Sequence, residues 1–284
     1  MKKILKNIYY STDYHGVLVG AIELERGVIL IDSPLLIDSV RSWITEVNEL
    51  DAGPDRIMIY LDAHPDRSLG AKLMDTRVLA QQQTFNDYRK RTAVFKGNKF
   101  ETGSDWEFYS GFPGIRWEKP SLSFTENITL HWGDLDVVVE HHPGPQDGAC
   151  WVTIPEKKVA FIGDAVMVKQ PPFFAEADLP KWIDTLDVML SEDFKDYRFF
   201  SSRSGKVDEK DIRNMRKCLV DAHKKLERLG KRKAKPEDTE RLINKLLENF
   251  NPPAKHKITY EYRLRYGLKN YYSNHYIEEN PEGN

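Results

Sequence analysis

Cysteine is scarce. Cys150 and Cys218 are the two in 284 residues, they lie far apart, and no Cys-x-x-Cys pair exists to hold a structural zinc. Two distant thiols do not make a disulfide framework, and they fit a reducing cytoplasm better than an oxidising compartment. No apolar run is long enough to span a bilayer. The basic start Met1-Lys2-Lys3 is not followed by the apolar stretch of a signal peptide, so the expectation is a soluble, cytoplasmic protein. Excess charge of one sign is also missing: 42 Lys and Arg stand against 44 Asp and Glu, a net charge of -2. That removes a general polyelectrolyte attraction to nucleic acid. The glycine fingerprint of dinucleotide-binding folds does not occur either.

What is present is concentrated in one stretch. An apolar run, Ile57-Met58-Ile59-Tyr60-Leu61, reads as a buried strand. It feeds directly into Asp62-Ala63-His64-Pro65-Asp66-Arg67, followed by a short helix-like segment from Leu69 to Met74. Asp62, His64 and Asp66 alternate and can share one side. Carboxylate and imidazole beyond a strand end are groups that divalent metals accept.

Other elements follow from periodicity. Gly16–Leu24 and Gly27–Asp32 read as paired strands closed by Asp32-Ser33-Pro34. Leu36, Val40, Trp43, Ile44 and Val47 share a helical face. Thr76–Ala80 reads as a strand, and residues 84–114 as a mixed, aromatic loop bordering a pocket. Five further strands fall between 121 and 163. A helix is expected over Leu179–Leu190, a strand over Tyr197–Ser201, and two helices over 208–229 and 236–249. Strand meanders before and after helices imply an α/β sandwich of two sheets with helices outside. The basic run from Lys224 to Lys235 is either an anion patch or a solvated helix end. The tyrosine-rich segment Tyr260–Tyr272 either packs on the domain, closes the pocket or forms a dimer contact, and residues after Glu278 read as frayed.

The central loop resembles that of the metallo-β-lactamase superfamily, His-x-His-x-Asp-His-x-x-Gly. Here the frame reads Asp62-x-His64-x-Asp66-Arg67-x-x-Gly70. The family loop Pro-Gly-His-Thr-x-Gly corresponds to Pro143-Gly144-Pro145-Gln146-Asp147-Gly148. The hairpin that follows it ends in Gly163-Asp164, where the family carries its metal-bridging aspartate. The last ligand loop corresponds to Ser202-Arg203-Ser204-Gly205, and Asp32 matches an aspartate that supports the metal loop. The resemblance covers roughly residues 8–212. It implies a metallo-β-lactamase-like αββα sandwich of two mixed sheets over 1–212, with a C-terminal helical and Tyr-rich extension over 213–284.

By position, Arg67, Pro145 and Arg203 stand where the family has histidines. Arginine stays protonated and repels a cation, so a two-metal centre is not expected. Two readings remain. In the first no cofactor binds: Asp62, Asp66 and Asp164 are balanced by Arg67, Arg203 and a protonated His64, giving a degenerate homologue that binds a small anionic ligand. In the second, Asp62, His64 and Asp164 hold one Zn, Mn or Fe ion, with His141 or His142 reaching in, and the protein hydrolyses a small anionic ester or phosphoester. The candidate catalytic residues are then Asp66, His64 and Asp164, and the binding residues Arg67, Arg203, Asp32 and His142. A nuclease of the same superfamily is a third class, disfavoured because the chain is not basic. No nucleic-acid or membrane partner is expected, and a homodimer is left open.

Overall fold

The computed structural model describes residues 1–97, 101–109, 112 and 114–277. The first sheet contains seven strands in sequence order: β1 (Lys2–Leu5), β2 (Ile8–Ser11), β3 (Val19–Glu23), β4 (Gly27–Ile31), β5 (Asp55–Ile59), β6 (Arg77–Gln81) and β7 (Leu122–Phe124). The hairpin-linked strands β1 to β4 are antiparallel, whereas β4 to β7 run parallel. The second sheet is formed by β8 (Asn127–His131), β9 (Asp136–His141), β10 (Cys150–Ile154), β11 (Val159–Phe161), β12 (Arg198–Ser201) and β13 (Gly205–Val207), with only β11 and β12 parallel.

The two sheets face each other across one apolar layer. Ile29, Ile31 and Ile59 of the first sheet share it with Val139, Val152 and Phe161 of the second. All five residues of β4 are buried, which explains an uninterrupted apolar run where a one-sided strand would alternate. Helices cover the outer faces. α1 (Ile37–Asn48) buries Val40, Trp43 and Val47 against the first sheet, beside Tyr88 of α2 (Gln82–Lys90). The second sheet is covered by α3 (Leu179–Met189), α4 (Glu209–Lys231), α5 (Ile243–Phe250) and α6 (Lys257–Tyr276). Trp182, Met215, Leu246 and Tyr271, one from each of these helices, lie in a single core cluster. The expected boundary after residue 212 falls inside α4.

Local signals set several of these ends. Asp178 caps α3 by accepting the Lys181 N–H, and Asp208 and Asp211 form a reciprocal capping box on α4. The stretch from 84 onward departs from the loop expected there. Gln82–Lys90 is helical, but it buries only Thr84 and Tyr88, too narrow a stripe to show as periodicity. The tyrosine-rich segment is part of the helix α6. The fraying expected after Glu278 lies outside the described residues. No described helix is long and apolar enough to cross a membrane.

Gly27 opens the parallel pairing of β4 with β5. A Cβ built there would run into the backbone carbonyl oxygen of Asp55. Gly27→Ala must push the two strand starts apart, and a loss of about 1–3 kcal/mol is expected in urea unfolding. An unchanged midpoint would contradict that close approach.

Candidate functional site: a guanidinium-bridged carboxylate cluster beside an apolar cavity

The central loop leaves the C-terminal end of β5 where the parallel strands of the first sheet end. His64 starts a one-turn helix, Pro65–Arg67, and its Nδ1 accepts the Asp66 N–H at 3.2 Å. The Leu61 N–H donates to Asp32 Oδ1, so Asp32 fixes the exit from the strand. Asp32 has φ +56°, a left-handed turn that aspartate tolerates.

Arg67 is fully buried. Its guanidinium reaches three carboxylates: Nε lies 3.1 Å from Asp62, Nη2 2.5 Å from Asp164 and Nη1 3.5 Å from Asp32. Nη1 also donates to Ser202 Oγ at 2.9 Å, and that hydroxyl lies 3.4 Å from Asp32 Oδ2. Arg203, with only 1% of its side chain exposed, lies on the other side of Asp164. Nε donates to Asp164 at 3.0 Å, and Nη1 pairs with Asp66 at 3.0 Å and with Asp105 at 2.8 Å. Its Nη2 lies 3.1 Å from His64 Nδ1. Asp66 also accepts the N–H groups of Asp105 and Trp106, which ties the loop at 101–109 to the cluster.

Electrostatics follow from burial and the two guanidiniums. Burial disfavours the charge on Asp164, but Arg203 and Arg67 outweigh it and hold the carboxyl well below its ordinary range. Burial wins at Asp32 and Asp66, pushing them up to about 7 and about 6 despite their arginine neighbours. Burial, with Arg203 next, drives His64 well below its usual value, so its ring is neutral. The balance of three acids against two arginines and a protonated His64 therefore does not hold. The structure adds the carboxylates of Asp32 and Asp105 and withdraws the imidazolium. With a pKa of about 7, Asp32 is partly protonated near neutrality, which relieves part of the excess.

A cavity of about 170 Å³ adjoins this cluster. Met167, Phe173, Phe174, Trp182 and Tyr266 supply apolar and aromatic wall, while Asp62, His64, Arg91, Gln146, Asp164 and Glu176 supply the polar groups. Such a lining is the usual form of a small-molecule site. Arg67 and Arg203 are not among the residues of its wall.

The family model of the metallo-beta-lactamase superfamily matches residues 77–199. That match covers less than half of the chain and leaves out the loop at the end of β5; the two mixed sheets and outer helices agree with the fold of that superfamily. Among curated protein sequences no match is found. Solved structures share the fold. A metallo-beta-lactamase from Pontibacter korlensis superposes with a TM-score of 0.58 at 19% identity, over 77% of this chain and 97% of the other. A metallo-beta-lactamase family protein from Thermus thermophilus gives 0.60 at 17%, over 93% of each chain. A stereoselective inverting sec-alkylsulfatase from Pseudomonas sp. gives 0.70 at 13%; it spans 96% of this chain, which matches 49% of that protein.

The residues present do not fit the superfamily's two metals. Two guanidiniums occupy the space between the carboxylates: Asp62 Oδ1 accepts the His64 N–H and lies on Arg67, and Asp164 Oδ2 is shared by Arg67 and Arg203. Among the described residues, no group of three or more His, Cys, Asp or Glu is placed to hold an ion. The lone pair of His64 Nδ1 is engaged by N–H donors, which places the remaining proton on Nε2, 3.5 Å from Ser104 Oγ. A neutral ring in that tautomer has no free basic nitrogen.

Of the residues singled out from the sequence, Asp32, Asp62, His64, Asp66, Arg67, Asp164 and Arg203 come together in this cluster. His141 and His142 do not. His141 Nε2 lies 2.7 Å from the Asp147 carbonyl oxygen, and His142 stacks on Trp151 at 3.7 Å between ring centroids. Five residues were missed. Asp105 and Ser202 complete the ion-pair cluster, and Arg91, Glu176 and Arg263 line the cavity. Arg263 stacks on Phe173 at 3.9 Å and donates to the carbonyl oxygens of Gly103 and Pro171. The spacing of Tyr260, Arg263 and Tyr266 puts all three on one helical face, a signal legible only once that segment is read as a helix.

Proposed function

We propose that this protein is a metal-independent member of the superfamily, in which two guanidinium groups stand in for the two metal ions and the adjoining cavity binds a small molecule without hydrolysing it. The observation that carries this reading is that Arg67 and Arg203 between them contact the four buried aspartates of the cluster, Asp32, Asp62, Asp66 and Asp164. Burying so many acids requires such partners, and arginine's fork can meet several at once. The chemistry of a metal-activated hydroxide is then unavailable. The engaged lone pair of His64 supports the same conclusion for general-base catalysis. The competing reading, one Zn, Mn or Fe ion on Asp62, His64 and Asp164 serving hydrolysis of a small anionic ester, would require Arg67 and Arg203 to leave these carboxylates. We propose that the ligand is a small molecule and that neither nucleic acid nor membrane is a partner.

The test is metal content by mass spectrometry on protein purified without a metal-affinity tag, then after incubation with Zn, Mn or Fe. Far less than one equivalent is expected in both samples, together with no esterase activity above background. About one equivalent, lost on Asp62→Ala, would overturn the proposal.

A further inference from the structure

The charged residues on the cavity wall already have partners. Asp62 Oδ1 accepts the His64 N–H at 2.8 Å and lies 3.1 Å from Arg67 Nε, and Asp164 Oδ2 is shared by both arginines of the cluster. Asp164 Oδ1 has no hydrogen-bond partner among the described residues, but that atom is wholly buried, and a molecule in the cavity does not reach it. Arg263 is engaged by two loops: Nε and Nη2 donate to the Gly103 carbonyl oxygen, and Nη1 to the Pro171 carbonyl oxygen and Gln170 Oε1. Phe173 and Tyr260 stack on the same guanidinium. Arg91 is held between the Tyr88 and Trp117 rings at 4.4 and 4.6 Å, shares a side-chain hydrogen bond with Tyr88, and donates from Nη2 to the Ala63 carbonyl oxygen at 2.6 Å. Glu176 accepts from Gln146 Nε2 at 2.8 Å and has Arg91 as its main countercharge.

The surrounding field favours neither sign of charge. At His64, a positive charge is opposed by Arg203, Arg67 and Arg263 and favoured by Asp164. At Glu176, a negative charge is favoured by Arg91 and opposed by Asp87 and Asp62. An ion entering the cavity would give up its hydration without meeting a free countercharge, which is costly. The groups left to meet a ligand are Trp106, Phe173, Phe174, Trp182, Tyr266 and Met167. The volume of about 170 Å³ is close to the roughly 150 Å³ of an apolar protein cavity that takes up benzene, so it suits a single ring with a short substituent.

We propose that the cavity binds a neutral, largely apolar molecule the size of a single substituted aromatic ring, packed against the aromatic wall, in place of the anionic ligand expected from the sequence. This rests on the reading of the cavity as a ligand site and names the ligand's chemical class. Removal of the ring from water supplies the affinity, and offset or edge-on packing against the wall rings supplies the orientation.

The experiment titrates the full-length protein near neutral pH by calorimetry with probes that share one ring and differ in charge: benzyl alcohol, benzylamine and benzoate. Benzyl alcohol is expected to bind about tenfold or more tightly than either ion. Ala175 lies on the wall, and Ala175→Phe places a ring in the space. That variant is expected to lose benzyl alcohol binding by about tenfold or more while the melting temperature of the unliganded protein holds. Because the variant can disturb folding, tryptophan emission of the native protein is the second measurement: Trp106 and Trp182 line the cavity, so the emission should change with the same midpoint as the heat. Benzylamine or benzoate binding as tightly as the alcohol would overturn neutrality and leave a ligand-binding cavity. Binding of the alcohol with no change in emission would place it elsewhere and overturn the inference. Absence of binding by all the probes at millimolar concentration would overturn both the inference and the reading of the cavity as a ligand site, whereas the metal-independent reading stands or falls separately on metal content.

Discussion

Arg67→Met is expected to cost about 3–5 kcal/mol of folding stability, enough to unfold a marginal domain. Methionine fills much the same space, so the loss is electrostatic rather than a cavity. Asp32, Asp62 and Asp164 would remain buried without the guanidinium that now reaches all three. The sign of the pH dependence separates this cause from a packing defect. In the native protein Asp164 lies below its ordinary pKa, so its contribution is present above about pH 4 and fades as pH falls through its depressed value. Without Arg67, burial pushes Asp32 and Asp62 further upward, and Asp164 rises while keeping Arg203 as its partner. The folded variant then holds protons that the unfolded chain releases above about pH 4, and its stability falls as pH rises. The gap between native protein and variant should therefore widen from pH 5 to pH 8 in urea unfolding. A gap of under about 1 kcal/mol, or one independent of pH, would show that the cluster is not held by this guanidinium. Arg67→Lys should recover only part of the loss, since a single ammonium cannot span three acids.

The second large effect is a gain. Arg67→His, Arg203→His and Pro145→His together should give a protein that binds at least one equivalent of zinc, where far less is expected of the native chain. The three changes remove two cations from beside five carboxylates and place imidazoles at the positions where the superfamily carries its histidines. Zinc then supplies the positive charge that the guanidiniums supplied. The melting temperature of the triple variant should rise with zinc, because an ion that binds only the folded state stabilises it by mass action, by about 2.7 kcal/mol at a hundredfold excess over Kd. Unchanged metal content would sink the positional correspondence between this chain and the superfamily it resembles.

Local pattern alone determined much of this protein. The buried run into the loop at Asp62, the β-rich block from 121 to 163 and the helical faces of α1, α3 and α4 are readable because burial of one face leaves a period in the sequence. The order and spacing of Asp62-x-His64-x-Asp66-Arg67, Gly163-Asp164 and Arg203 likewise carried the superfamily resemblance and the expectation that acids and arginines would meet. Tertiary structure decided what those residues can do. Asp32 and Asp105 join the cluster from other segments, and the ionisation of His64 depends on burial and on Arg203, which is 139 positions away. The same holds for the cavity. Arg91, Glu176 and Arg263 come from the end of α2, a loop before α3 and the middle of α6, and no sequence period links them. Their meeting is a product of chain crossings between layers, and so is the burial that leaves Asp164 Oδ1 without a partner among the described residues. Periodicity reports which side of an element faces inward. Charge state and ligand preference depend on what arrives from elsewhere in the chain.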